Sequence, residues 1–183
     1  MFSRKIFVVV IFVLIVSCTS ETNISNPNGL FSEVELSELN QMVDAFDHIL
    51  VQGFDTKLVV DAYMEFSIIV EEEISPTLPS GMEALGLKVM DYKVFSKIWR
   101  HYEVDNRNKG KYNIYGTSDY IKYLKRLGED SDFLQVYAQN LKDAGDISPA
   151  LIAGFAVNIE LLDLTDRNNR LVFAIHYLTL IQR

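Results

Sequence analysis

The side chains best suited to acid, base or metal chemistry are three histidines and many carboxylates. Asp44 and His48 are four residues apart, so one helix face could offer two metal ligands. A structural or catalytic metal site needs three or four ligands, and no second paired motif such as HExxH is present. His48 is expected at the surface, and His176 is expected to be partly buried with a hydrogen bond. We therefore predict no metal ion and no cofactor.

The spacing that nucleophilic or phosphate chemistry requires is also missing. The chain has no GxSxG elbow and no glycine-rich phosphate loop of either common type. A glycosidase needs two carboxylates at a defined separation in a cleft, which spacing along helices cannot establish. We therefore assign no catalytic residue from the sequence.

The only cysteine, Cys18, closes a stretch with the three parts of an export signal. Arg4 and Lys5 give a positive start, eleven apolar residues follow at positions 6–16, and Ser17 precedes the cysteine. A membrane-spanning helix needs about 20 apolar residues, so this stretch is too short to be one. A lone cysteine cannot form an intramolecular disulfide, and an unpaired thiol in an exported protein requires another explanation.

The sequence Ile15-Val16-Ser17-Cys18 resembles the lipobox of bacterial lipoproteins. The resemblance implies cleavage before Cys18 and acylation of its thiol with diacylglycerol. By resemblance to Gram-negative sorting, Thr19 in place of aspartate implies an outer-membrane destination. Each buried methylene of an acyl chain contributes about 0.8 kcal/mol, so two or three chains, such as palmitate, hold a protein at a bilayer.

The sequence divides into three parts. Residues 1–17 are the predicted signal peptide, residues 18–31 are the lipidated cysteine with a flexible tether, and residues 32–183 are one folded domain. The formal net charge of −8 becomes −10 when the two basic residues of the signal are removed. An acidic domain of this kind is not expected to bind nucleic acid.

Apolar residues recur at three- and four-residue steps through most of positions 32–183, which predicts helices. Ser32 and Glu35 have capping-box spacing, and Ser148-Pro149 is typical of a helix start. One predicted helix continues through Trp99 to Tyr102. We expect an all-α fold, with a single globular domain of six or seven packed helices.

Positive charge is concentrated in residues 88–126, which hold ten lysines or arginines against four acids. One interpretation is ion pairing with acidic helix ends such as residues 71–73, which contributes only about 0–1 kcal/mol per exposed pair. The alternative is a basic patch for an anionic partner: a phosphate-bearing lipid head, an acidic glycan or another protein.

Aromatic residues lie among these cations, and aromatic rings beside cations suit an interface. A helical aromatic stripe is typical of a core, which is the expected place of Trp99, whereas Tyr112 and Tyr115 lie in or beside a polar loop and are expected to be exposed. The candidate partner-binding residues of this segment are Trp99, Arg100, Arg107, Lys109, Lys111, Tyr112 and Tyr115.

We therefore expect a non-catalytic, lipid-anchored module of the cell envelope with a binding, assembly or structural role. Its partners are expected to be the membrane, through the lipid, and a protein or anionic envelope component. One alternative is an envelope hydrolase acting on glycan or peptide with acids such as Asp44 or Glu73. Another is an immunity-type inhibitor, because an acidic surface suits a basic toxin.

Replacing Cys18→Ser should leave an uncut and unacylated precursor, because the hydroxyl of serine does not replace the thiol that is acylated. Metabolic labelling with a fatty-acid analogue, read on a denaturing gel beside the wild-type protein, measures this. Label that still appears on the mutant would reject Cys18 as the acylation site.

Overall fold

A computed structural model describes residues 23–72, 77–101 and 111–182. The predicted all-α fold is confirmed, although these residues form eight α-helices rather than six or seven. None of the described helices is both long and apolar enough to cross a membrane. The predicted signal peptide and Cys18 lie outside the described residues. The elements are α1 Glu33–Gly53, α2 Val59–Glu72, α3 Met82–Lys88, α4 Phe95–Ile98, β1 Trp99–His101, β2 Tyr112–Ile114, α5 Asp119–Leu127, α6 Asp132–Ala144, α7 Pro149–Val157 and α8 Arg167–Ile181.

The last helix, α8, lies at the centre because it is apolar on almost every side. Ten of its fifteen residues are buried, and consecutive residues such as Phe173 and Ala174 point in different directions around its axis. A helix of this type is stable in water only when other elements surround it. It contacts α1 and α3, and its aromatic side chains meet rings of α2, α6 and α7. Five of the other described helices, α1, α2, α3, α6 and α7, therefore pack against α8.

Local signals set the ends of the outer helices as predicted. At α1 the Ser32 amide donates to the Glu35 carboxylate at 2.7 Å, and the Ser32 hydroxyl accepts from the Glu35 amide. At α7 the Ser148 hydroxyl caps the helix and Pro149 occupies the first turn. Gly145 ends α6 with φ of +72°, a conformation that glycine adopts without the steric cost of a Cβ atom.

The helix predicted to continue through Trp99 to Tyr102 ends at Ile98, and Tyr102 lies outside the described residues. Trp99–His101 form β1, which pairs antiparallel with β2, Tyr112–Ile114. The Trp99 indole Nε1 also donates to the Thr179 hydroxyl of α8 at 2.7 Å. Both partners lie far along the chain, so the local apolar period could not reveal the pairing that replaces the helix here.

Residues 24–31, predicted as the end of a flexible tether, pack on the domain instead. Ile24 and Phe31 are buried, and the Ser25 amide donates to the Asn168 side-chain oxygen of α8 at 2.8 Å. The small and polar neighbours of these residues hid the two apolar contacts in the sequence. The folded domain therefore begins near Ile24 rather than at residue 32.

Replacing Phe173→Ala should lower the free energy of unfolding by about 3–5 kcal/mol, because it leaves a cavity beside the rings of Phe46, Tyr63 and Tyr177. Urea unfolding of the mature protein measures the change. Val136→Ala on α6, where the side chain is 59% exposed, is the control and should change stability by no more than about 0.5 kcal/mol. Equal effects of the two substitutions would contradict the central place of α8.

Candidate partner-binding surface

A shallow apolar groove lies between α2 and α7, with α8 beneath it. Its volume is about 360 Å³. We call it the α2/α7 groove. One residue of α2, five of α7 and one of α8 line it: Val70, Pro149, Ile152, Ala153, Ala156, Val157 and Tyr177.

The groove exists because α7 has no polar side chain in any of its nine residues. Leu151 and Phe155 are buried on its inner side. On the outer side Ala153 and Val157 are exposed, Val157 to 70%. A surface helix usually carries polar residues toward water, so this outer side is unusual. Within the described part of the chain, α7 presents an apolar surface that the fold leaves open to solvent.

Aromatic packing fixes the floor of the groove. The Phe155 ring stacks on His176 with centroids 4.0 Å apart, and Tyr177 meets the Phe66 ring edge-on at 5.0 Å. The Tyr137 hydroxyl lies 2.9 Å from Nδ1 of His176. The predicted hydrogen bond of His176 is confirmed, and the ring is fully rather than partly buried. Packed aromatic side chains therefore support the groove, which is present without a bound partner.

The chain segments that contain α2 and α7 are strongly acidic in sequence. Residues 58–73, which contain α2, hold five carboxylates and no lysine, arginine or histidine. Residues 143–166, which contain α7, also hold five carboxylates and none of the basic types. Asp61, Glu65 and Glu160 are among those that are exposed. The segments that contain α2 and α7 are therefore both acidic in sequence.

Two other depressions in the described structure are more polar in their lining. One follows the turn at residues 78–83. The other lies along the start of α1 and includes Glu33 and Glu38. The Glu38 carboxylate accepts a hydrogen bond from the Val94 amide at 2.9 Å, so it holds the chain segment before α4 in place. Neither depression has the continuous apolar lining of the α2/α7 groove.

Two of the aromatic residues predicted to bind a partner lie in the core. Trp99 and Tyr112 are 1% and 0% exposed, and their ring centroids are 5.1 Å apart. The Tyr112 hydroxyl donates to the Gly86 carbonyl at 3.1 Å. The core position expected for Trp99 is confirmed. The exposure predicted for Tyr112 is wrong, because β2 holds its side chain against the interior.

The structure describes three of the remaining predicted residues, Tyr115, Lys111 and Arg100. Tyr115 is half-buried and its hydroxyl donates to the Ser96 carbonyl at 2.8 Å. Lys111 is half-buried, and Arg100 is exposed with its Nε 3.4 Å from the Asn113 side-chain oxygen. Outside the described residues lie Arg107 and Lys109.

Ion pairing accounts for several cations of the basic segment 88–126. The Lys97 ammonium lies 3.1 Å from the Glu35 carboxylate and 3.9 Å from that of Asp119. Arg126 pairs with Glu129 one helical turn away. The internal interpretation of this segment is supported at these residues. The partners first suggested, residues 71–73, have side chains outside the described part of the chain.

Asp44 and His48 do not come together with a third ligand. The Asp44 carboxylate pairs with Arg167 at 2.6 Å, and His48 is exposed. Among the described residues, no three histidine, cysteine, aspartate or glutamate side chains are grouped so that they could hold a metal ion. Glu73, the other acid considered for hydrolysis, lies outside those residues.

A partly buried carboxylate, that of Asp47, joins α1 to α2 and α8. Burial raises the pKa of Asp47, and a hydrogen bond from the Tyr63 hydroxyl at 2.6 Å and the charge of Arg170 act in the opposite direction. The Arg170 Nε lies 3.3 Å from the carboxylate. Desolvation outweighs these partners because it disfavours the charged form. Both partners engage the carboxylate inside the fold, so Asp47 positions helices rather than substrate.

Sequence reasoning missed the α2/α7 groove. The signal was present: nine residues from Pro149 to Val157 without a polar side chain, between clear start and stop signals. A helix that is apolar all round predicts either complete burial or an exposed apolar side, and the sequence alone does not distinguish them.

Comparison with known proteins found no relative: no protein-family model matches the chain, and no curated protein or solved structure is significantly similar. The function of this protein is therefore inferred from its own residues and surfaces.

Replacing Tyr63→Phe should lower the free energy of unfolding by about 1.5–3 kcal/mol at neutral pH, the range for a hydrogen bond to a charged group. The loss should be smaller at about pH 4, near the ordinary pKa of aspartate. Because burial raises the pKa of Asp47, its carboxylate takes up a proton at a higher pH than an ordinary aspartate does. A bond that favours the charged form stabilises the fold above the raised pKa and fades as pH falls through it.

Urea unfolding at both pH values checks this effect. Tyr92→Phe is the matched control, because the buried Tyr92 hydroxyl has no hydrogen-bond partner in the described structure. Its removal should change stability little and equally at the two pH values. If Tyr63→Phe were also independent of pH, the charged hydrogen bond to Asp47 would be refuted.

Proposed function

We propose that this protein is a lipid-anchored component of the cell envelope, in the outer membrane, that binds a partner protein without catalysis. The observation that carries the proposal is the α2/α7 groove, an open apolar surface on a rigid base. Such surfaces on a soluble domain are typical of sites where another molecule binds. The lipobox-like sequence at Cys18 supplies the attachment to the membrane.

The chemistry of the groove favours binding over hydrolysis. Hydrolysis of a glycan needs two carboxylates that face one cleft. The lining of the α2/α7 groove contains no carboxylate. Asp47, whose pKa burial raises, is engaged by Tyr63 and Arg170. These observations support a surface that recognises shape and charge.

The position of the N-terminal segment also supports a protein partner. Ser25 is bonded to Asn168 on one side of α8. Tyr177, in the groove, follows Asn168 by nine residues, about two and a half helical turns, which places it on the opposite side of α8. The N-terminal segment, which leads to the proposed anchor, therefore lies on one side of the central helix, and the groove lies on the other side.

The net negative charge of the chain, −8, favours one second candidate within the same class. An inhibitor of the immunity type, which covers the active surface of a basic protein, would use negative charge to speed the encounter and an apolar strip to hold the complex. Binding without catalysis is common to both candidates.

Site-specific photocrosslinking in the native host tests the proposal. A photoreactive amino acid at Val157 in the groove should give one defined protein adduct in intact membranes. The control is the same amino acid at Val136, an exposed valine of α6 outside the groove, which should not give that adduct. Identical products from the two positions, or no protein adduct at Val157, would refute binding through the groove.

A further inference from the structure

We propose that Asn28 is a site of spontaneous deamidation, and that the modified residue loosens the packed N-terminal segment, residues 24–31. Asn28-Gly29 is the only Asn-Gly pair in the 183-residue sequence. Asparagine is a chemically labile residue, and it reacts most readily before glycine because no β-carbon shields the backbone nitrogen that follows. Both residues of the pair are exposed to water in the structure.

The Pro27–Gly29 turn controls when the reaction can occur. Asn28 has φ of 56° and ψ of 19°, which directs the Gly29 nitrogen away from the Asn28 side chain. The Gly29 amide also donates to the Asn26 carbonyl at 3.2 Å. A Cβ atom placed on Gly29 would have no neighbour within 4 Å, so the turn has room to rotate. The exposed pair therefore reacts when the turn opens.

The reaction needs water and no other reagent. The Gly29 backbone nitrogen loses its proton to solvent and bonds to Cγ of Asn28. The bond between Cγ and Nδ2 breaks, and the departing nitrogen takes up a proton and leaves as ammonia. Water then opens the cyclic imide at either of its two carbonyl carbons. One product has an ordinary aspartate at position 28. The other has an isoaspartyl linkage, whose main chain runs through the side chain and contains one additional carbon.

The additional carbon enters a loop that holds the N-terminal segment in place. The Asn26 side chain donates to the Phe31 carbonyl at 2.7 Å and accepts from the Phe31 amide at 3.0 Å. These two bonds close the chain around the turn and fix the Phe31 ring, which is 3% exposed and meets Tyr123 edge-on at 5.7 Å. An isoaspartyl linkage changes the length of the main chain between Asn26 and Phe31, so the loop no longer matches both bonds.

Loosening of this segment lengthens the free chain at the N-terminal side of the body. The docked chain is held at Ser25, seven residue steps after Cys18, whereas a released segment is held first at Ser32, fourteen steps after it. The greatest reach of the free chain rises from about 25 Å to about 50 Å. This consequence alone rests on the proposed lipid anchor, because the modification itself depends only on the turn.

Mass spectrometry of aged protein tests the modification. The mature full chain in phosphatidylcholine nanodiscs is held at neutral pH, and cleavage after glutamate then gives a peptide of residues 22–33. This peptide should gain the mass difference between an amide and a carboxylic acid, and isoaspartyl methyltransferase should label it. Asn140, exposed on α6 and followed by Leu141, is the internal control and should keep its amide. Equal survival of the two amides would refute the site.

Replacing Asn26→Ala tests whether the turn controls the rate. The variant loses both bonds to Phe31, so deamidation at Asn28 should accelerate by about tenfold, equivalent to about 1.4 kcal/mol in the opening of the turn. Asn140→Ala is the matched control and should leave the rate at Asn28 unchanged. Circular dichroism confirms that both variants keep the helical fold. A folded Asn26→Ala variant that reacts at the wild-type rate would overturn control by the turn.

Hydrogen exchange tests the structural consequence. Amides of residues 24–31 should exchange at least about tenfold faster in the isoaspartyl form than in fresh protein, while those of α8 keep their protection. Asn28→Gly, aged in parallel, lacks the reactive amide and accepts the positive φ, so its segment should stay protected. An isoaspartyl form with full protection would overturn the loosening. None of these readouts involves the α2/α7 groove, so they succeed or fail independently of the Val157 photocrosslink.

Discussion

Burial of α8 is the constraint on which the rest of the structure depends. A fifteen-residue helix with apolar residues on nearly all sides cannot remain in water, so the other helices must enclose it. The aromatic residues of the core, including Phe46, Tyr63 and Phe155, meet at Phe173 of this helix. The enclosure is uneven in one place. The helix α7, which covers part of α8, is itself apolar on its outer side. Covering α8 therefore leaves apolar side chains of α7 exposed at the surface.

Several polar contacts of α8 lie toward its N-terminal end, where they connect this helix with α1 and with the N-terminal segment. Arg167 and Arg170 reach carboxylates of α1, and Asn168 holds the N-terminal segment. Partly buried ion pairs of this type contribute little net free energy, because desolvation offsets attraction. We interpret them as determinants of geometry: they fix how α1 and the N-terminal segment lie on the central helix.

The sequence was sufficient for the features that depend on local spacing. The helical class, the capping box at Ser32 and the start at Ser148 all follow from residues a few positions apart, and each is found in the structure. Features that depend on distant partners could not be obtained in this way. Trp99 joins a strand because β2 lies opposite it. The α2/α7 groove is open because no described element covers α7, which is a property of the whole assembly. The exposure predicted for Tyr112 was wrong because the strand pairing that buries its side chain is not a local feature of the sequence.

The packed N-terminal segment sets how far the body can stand from a membrane. If Cys18 carries the lipid, only six residues lie between the anchor and Ser25, which is bonded to α8, so the chain covers seven residue steps. A fully extended chain spans about 3.3–3.6 Å per residue, so the chain between Cys18 and Ser25 reaches at most about 25 Å. The domain is then held close to the lipid surface and cannot move farther from it than this chain length allows. The height at which the groove meets another molecule is governed mainly by the thickness of the helical body, and partners must come to it.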